Sequence, residues 1–189
     1  MRLTVATHNS HKLEEFARLL PRFDLQALPP TAGEPVEDGD SFAANALIKA
    51  RAGAEAAGMP TIADDSGICV EVLSGAPGIL SARWAGAERD DRANLDLLIE
   101  RTAAGDALEY LCVISYCDPG DGTEITFEGR CSGIRAAQPR GSGGFGYDPA
   151  FEPTEAPGRT MAELSPAEKD AISHRGHAVK QLEPWLTTR

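Results

Sequence analysis

"TIADDSGICV", Thr61 to Val70, sets two adjacent carboxylates, Asp64 and Asp65, and the pair Ser66-Gly67 between two short apolar runs. Asp, Ser and Gly are turn formers, so the pattern predicts a strand over Thr61 to Ala63, an acidic turn, and a second strand over Ile68 to Val72. Adjacent carboxylates repel one another and lose hydration when enclosed. They persist either in open solvent or where a cation compensates them. An ordinary acidic turn and a metal-dependent site both satisfy the pattern.

Upstream, Leu3 to Ala6 reads as a strand, "THNSHK" breaks it, and Leu13, Phe16, Ala17 and Leu20 then recur at helical spacing. Residues 28–40, "LPPTAGEPVEDGD", form an acidic, Pro/Gly-rich loop, long for a compact domain. Ser41 is placed to cap a helix whose apolar stripe is Phe42, Ala46, Leu47, Ala50 and Ala54, ending at Gly58. Downstream, Asp91 to Ala103 is helical in pattern, and Ala107 to Ile134 reads as two long strands joined by a Pro/Gly/Asp turn. Ser165-Pro166-Ala167-Glu168 has the form of a capping box with proline at the first helical position. Strands and helices alternate in the way of an α/β or α+β fold with a mixed sheet.

With 189 residues, 42% of them hydrophobic, the chain has the size of one well-buried domain, residues 1–189. Its formal net charge of -11 excludes sequence-independent binding to nucleic acid or to an anionic membrane surface. A small anionic ligand stays open wherever basic groups cluster. The cysteines, Cys69, Cys112, Cys117 and Cys131, form no C-x-x-C pair and read as buried free thiols. No apolar run has the length of a signal peptide core or a membrane span, so the expectation is a soluble, cytoplasmic protein.

Four stretches carry residues suited to chemistry. At the expected strand-to-helix junction, Thr7, His8, Asn9, Ser10, His11 and Lys12 offer free helix-start amides, hydroxyls and an ammonium, which suit a phosphate chain. An ordinary Asn9 or Ser10 cap beside a solvated lysine accounts for the same residues. Glu37, with Asp38 and Asp40 close by, and the Asp64-Asp65 pair suit magnesium, which takes one or two carboxylates with phosphate and water oxygens. A carboxylate beside such a cation can accept a proton from water. "GSGGFGYDP", Gly141 to Pro149, formally contains G-x-G-x-x-G but runs into Tyr147-Asp148-Pro149 instead of opening a helix, so it is not a dinucleotide fingerprint. It reads as a flexible hairpin loop, or as backbone that approaches a ligand closely while Phe145 offers a ring for stacking. In "SPAEKDAISHRGHA", Lys169, His174 and Arg175 follow within about two helical turns and suit either a solvated helix end or donors to a keto oxygen or phosphate.

In this order, "ATHNSHKLEE", "GDSFAANALIKARA", "ADDSGICVEVLSGAPGILSARWAG", "GSGGFGYDPAF" and "MAELSPAEKDAISHRGHA" resemble the inosine triphosphate pyrophosphatase family, also called Ham1-like, over nearly the whole chain. The resemblance implies an elongated, two-lobed α/β fold in one domain, with a mixed central sheet flanked by helices and a cleft between the lobes. It also implies a homodimer that hydrolyses deaminated purine nucleoside triphosphates, ITP, dITP and XTP, to the monophosphate and pyrophosphate with Mg2+. Carried over, Thr7 to Lys12 hold the triphosphate, Glu37 and Asp65 the metal with Asp64 in support, and Asp65 is the proton acceptor. Ser66 contacts substrate, Phe145, Gly146, Tyr147 and Asp148 line the base and sugar site, and Lys169, His174 and Arg175 complete base recognition. The chain departs from the family pattern at Ala44, where a glutamate is common, and at His8, where a glycine is. Two alternatives are a Maf-like pyrophosphatase acting on pyrimidine or modified nucleotides and a catalytically silent nucleotide-binding sensor.

Overall fold

The computed structural model describes residues 1–29 and 32–189; Pro30 and Thr31, inside the expected loop over residues 28–40, lie outside the described residues. The strands are β1 (Arg2–Val5), β2 (Asp24–Ala27), β3 (Thr61–Val70), β4 (Ala107–Cys117), β5 (Glu124–Arg135) and β6 (Phe151–Pro153). The helices are α1 (Ser10–Leu19), α2 (Phe42–Ala57), α3 (Asp91–Arg101), α4 (Pro166–Ile172) and α5 (His174–Leu186). The strands form one sheet in the order β2-β1-β3-β4-β5-β6. It is mixed, as expected: β1 runs parallel to β2 and β3, whereas β5 and β6 are antiparallel.

The acidic turn is absent. Asp64 to Gly67 lie inside β3, a single ten-residue strand that ends at Val70 and leads into a 3-10 turn over Glu71–Leu73. Turn propensity is a local preference, and here tertiary ion pairs override it. Asp64 and Asp65 are both buried, and neighbouring strand residues point to opposite faces, so the two carboxylates are turned away from each other. Each has its own lysine, described below.

The chain divides into two compact units, one of residues 1–65, 112–129 and 178–189, the other of residues 66–111 and 130–177. In the first, Leu3, Phe16, Leu20, Ile62, Ile114 and Leu182 belong to one buried cluster. On α1, Ala17 is exposed and Glu15 buried, contrary to the expected stripe, because the step from Phe16 to Ala17 turns about 100° round the helix toward solvent. A second cluster of small residues, Ala6, Ala50, Ala54 and Ala63, lets α2 lie close to the sheet. Gly53 is where that approach is tightest: a Cβ there would stand 2.7 Å from Ala6 Cβ and 2.9 Å from Thr61 Cγ2. Asn45 and Lys49, eight and four residues earlier, share that helix face and are carried to the sheet with it. Ser41 caps α2 and Gly58 ends it in the left-handed conformation, as expected.

In the second unit, Ile68, Leu98, Tyr110, Phe151 and Met161 belong to a separate buried cluster. Ser81 ties the 3-10 helix over Gly78–Arg83 to β3, accepting a hydrogen bond from the Ile68 amide at 2.9 Å. The capping box at the start of α4 forms as expected: the Glu168 amide donates to Ser165 Oγ and the Ser165 amide to Glu168 Oε2. The four cysteines form no disulfide; Cys69 is half-buried and the others are buried.

Candidate active site

In the first unit, Asn9 caps α1, its Oδ1 accepting from the His11 amide at 2.9 Å and the Lys12 amide at 3.3 Å, while its own amide donates to Thr7 Oγ1 at 3.1 Å. The ordinary cap is therefore real, and it organises the loop. His8, Ser10 and His11 stay exposed at the start of the helix. Lys12 is not a solvated lysine. Its Nζ lies 3.0 Å from Asp64 Oδ2, a carboxylate with no exposed side-chain surface, to which the Cys112 thiol also donates at 3.8 Å.

On the opposite face of β3, Asp65 Oδ1 stands 2.9 Å from Lys49 Nζ, and Glu37 Oε2 stands 3.0 Å from the same nitrogen. Asn45 Nδ2 reaches the second Asp65 oxygen at 3.4 Å, and Asn45 Oδ1 accepts the Gly39 amide at 2.9 Å, so one amide fastens the Glu37 loop to α2. Asp38 and Asp40 are exposed. Burial pushes the Asp65 carboxyl above its usual range, with the Lys49 charge opposing, so Asp65 holds a proton more firmly than an ordinary aspartate. Burial disfavours the Lys49 ammonium, but Asp65, Asp64 and Glu37 outweigh it and raise its pKa. No local motif marks Lys49 and Asn45 as site residues. The signal they do carry is a helical i, i+4 pair on α2 containing one of only four lysines in the chain.

Two side-chain carboxylates, Glu37 and Asp65, converge on one cationic atom, and all their donors are hard oxygens. Among the described residues, no group of three or more His, Cys, Asp or Glu side chains is placed to hold a metal unaided. Magnesium takes one or two carboxylates together with phosphate and water oxygens, and the Glu37 and Asp65 oxygens suit it. Charge points the same way. Lys12 and Lys49 against Asp64, Asp65 and Glu37 sum to -1, so an anionic ligand here would call for further positive charge.

The second unit gathers a different set. Lys169, His174 and Arg175, the expected trio, are 5%, 6% and 1% exposed, so they are not a solvated helix end. Extended Ser173 separates α4 from α5 and caps the latter, accepting the Gly176 amide at 3.0 Å, which places His174 and Arg175 at the start of a new helix. Arg175 Nη2 donates to Ser66 Oγ at 3.0 Å. Lys169 Nζ donates to Asp148 Oδ2 at 2.6 Å and lies 4.8 Å from the centre of the Phe145 ring.

Asp148, at 3% exposure, collects three donors: Lys169, the Phe145 amide at 3.0 Å, and Tyr110 Oη at 3.1 Å. Gly144 makes this possible, since its φ is +67° and a Cβ there would run into the Asp148 carboxylate. The loop is therefore held, not flexible. The Gly146 amide donates to Asp91 Oδ2 at 3.0 Å, and Tyr147 donates to the Ser81 carbonyl at 2.7 Å with its ring buried. Tyr110, on β4, has no sequence signal of its own, because a single aromatic residue in an apolar strand carries no motif.

A profile described as the Ham1 family matches residues 3–185 of the chain. The protein belongs to the Ham1 family. Among curated relatives, the dITP/XTP pyrophosphatase of Corynebacterium diphtheriae is 47% identical, with 98% of this chain and 97% of that one covered. That of Streptomyces coelicolor is 47% identical over 97% and 96% of the two chains. Among solved structures, the Staphylococcus aureus Ham1 protein superposes with a TM-score of 0.86 at 37% identity, covering 100% of this chain and 99% of that one. The dITP/XTP pyrophosphatase of Mycobacterium abscessus gives a TM-score of 0.73 at 42% identity, with 97% and 100% covered. The Ham1 fold of this chain is thus the α/β, mixed-sheet architecture expected from its motifs.

Proposed function

We propose that this Ham1 protein hydrolyses deaminated purine nucleoside triphosphates, dITP, ITP and XTP, to the nucleoside monophosphate and pyrophosphate. The observation that carries the reading is Asp65: a buried carboxylate of raised proton affinity, held between Lys49 and Asn45 and facing Glu37. Such a group is suited to accept a proton from water, and a binding protein has no use for it. The names of the curated relatives supply the substrate class.

In this reading Lys12 and the start of α1 hold the triphosphate, with Asp64 keeping the Lys12 ammonium in place. Thr7, Asn9 and Ser10 shape or line that loop, as do His8 and His11. Water attacks the α-phosphorus as Asp65 takes its proton, and pyrophosphate departs toward the Lys12 side. Glu37 and Asp65 hold a divalent cation, Mg2+, which when bound neutralises phosphate charge and orients the chain. Lys49, ion-paired to both, holds the two carboxylates together.

The residues of the second unit serve the base. Hypoxanthine and xanthine carry an oxygen acceptor at position 6 where adenine carries an amino donor. Lys169, His174 and Arg175 present donors, which match the first two and leave adenine donor against donor, a mismatch worth orders of magnitude in rate. Phe145 offers a face for stacking, Gly146 its backbone, and Asp148, Tyr147 and Ser66 hold the donors and their loop. The reading also includes a homodimer working in the cytoplasm as a single domain with two lobes, supported by the family resemblance. Among the described residues no helix is long and apolar enough to cross a membrane.

The test is pyrophosphate release from dITP, ITP, XTP, GTP, ATP and dTTP, with magnesium and with chelator, for the wild type and Asp65→Asn. Magnesium-dependent release from the deaminated purines alone, abolished in the variant, is the expected result. Preference for dTTP moves the protein to the Maf-like alternative, and binding without release makes it a sensor.

A further inference from the structure

We infer that Tyr110 is the positioning residue of base recognition, stacking on His174 and, through Asp148, fixing Lys169 and the Phe145 backbone. The inference rests on the reading that this unit receives the purine base. The groups to be aligned come from three elements: Phe145 from the loop between β5 and β6, Lys169 from α4, and His174 from the first position of α5. The Phe145 loop is remote in sequence from the two helices, and the single extended residue Ser173 sets α5 off from α4. Tyr110 touches all three, directly or through one residue.

Its ring stacks on the His174 imidazole with centroids 4.6 Å apart and planes 12° from parallel. Phe151 packs tilted against the same ring at 4.4 Å. Parallel contact restricts the turn of the imidazole and so sets the direction of its ring nitrogens. The phenol hydroxyl then donates to Asp148 Oδ1 at 3.1 Å. Lys169 and the Phe145 amide both use the other oxygen, Oδ2. An aspartate's terminal torsion is broad, so bonds to one oxygen alone leave the carboxylate plane free to pivot. The bond to Oδ1 fixes that plane and, with it, the point toward which Lys169 and Phe145 are drawn. Burial, with the adjacent Asp148 charge, holds the phenol proton far above its ordinary range, so the hydroxyl remains a donor. Tyr110 lies on the long strand β4 and is 6% exposed, so the groups it touches are referred to the sheet.

A residue that served packing alone would be replaced by phenylalanine without effect on substrate choice. The experiment compares wild type, Tyr110→Phe and Tyr110→Met in KM and kcat for ITP and ATP, together with competitive inhibition by inorganic tripolyphosphate, which has no base. For Tyr110→Phe, loss of a hydrogen bond to a charged group raises KM for ITP about tenfold and lowers the ITP-over-ATP preference by a similar factor, with kcat nearly unchanged. The tripolyphosphate inhibition constant stays at the wild-type value. Tyr110→Met, which also removes the stacking, loses more on the same two axes. If Tyr110→Phe does not fold, Tyr110→Met carries the same expectation; failure of both to fold assigns the residue to the core and overturns the inference. So does unchanged KM and selectivity, or a rise in KM matched by an equal rise in the tripolyphosphate constant. A wild type that releases no pyrophosphate from ITP defeats the functional reading itself, before any variant is compared.

Discussion

Lys49→Met separates the two things Lys49 does: holding Glu37 and Asp65 together, and occupying the place between them. In the wild type the ammonium lies 3.0 Å and 2.9 Å from the two carboxylates, and the Lys49 side chain is only 14% exposed. Removing one partner of a buried ion pair leaves uncompensated charge and costs about 3 kcal/mol. For a chain of this length that corresponds to a fall in melting temperature of roughly 6–12 °C. Methionine keeps the aliphatic volume, so the loss is electrostatic. The cost changes when a divalent cation is supplied, because the two carboxylates are now free to take it without displacing an ammonium, and binding to the folded state alone raises stability. Thermal unfolding followed by circular dichroism, in chelator and in millimolar magnesium, is the assay. The variant regains much of its lost stability with magnesium, and the wild type shifts far less. A variant that melts as the wild type does in chelator, or that is indifferent to magnesium, refutes the account of Glu37, Lys49 and Asp65 as one electrostatic unit.

Asp65→Asn keeps the shape of the side chain and removes the proton acceptor, so kcat for ITP falls by at least about 100-fold while the nucleotide still binds, measured by single-turnover release and equilibrium binding. Gly144→Ala forces a methyl group into the Asp148 carboxylate at a positive φ; a loss of about 2 kcal/mol in a denaturant titration and a raised KM for ITP are expected, with tripolyphosphate inhibition unchanged. Glu168 is held at a pKa of about 2 by Arg159, then by Ser165, against an ordinary value of 4.5. Because the folded-state pKa is depressed, its contribution is complete above the ordinary value and disappears as pH falls from there toward about 2, so Glu168→Gln flattens the acid limb of the melting profile in that window.

Much of the architecture could be read from periodicity and punctuation. The caps at Ser41, Gly58 and Ser165 and the paired long strands β4 and β5 appear where the residues placed them, because those signals act within a few residues. The acidic turn failed for the converse reason. Asp-Asp-Ser-Gly favours a turn only while its carboxylates keep their water, and lysines 52 and 16 positions away replace that water and permit a strand. The buried state of Lys169, His174 and Arg175 was equally hidden, since exposure at a helix junction depends on what packs over it. Asn45, Lys49 and Tyr110 act through partners distant in sequence, and no local pattern announces such partners.

The cysteines have a practical consequence. Burial raises the thiol of Cys131 to about 12, and those of Cys69 and Cys117 are raised as well, while Cys112 has no exposed surface. Thiolate is the reactive form, so the native sulfurs react sluggishly with maleimides near neutral pH. Val36, 78% exposed and next to Glu37, is then a natural position for an introduced cysteine. A fluorophore attached there labels one defined point without stripping the native cysteines, and turns the loop beside the carboxylates into an optical reporter of cation and nucleotide arrival.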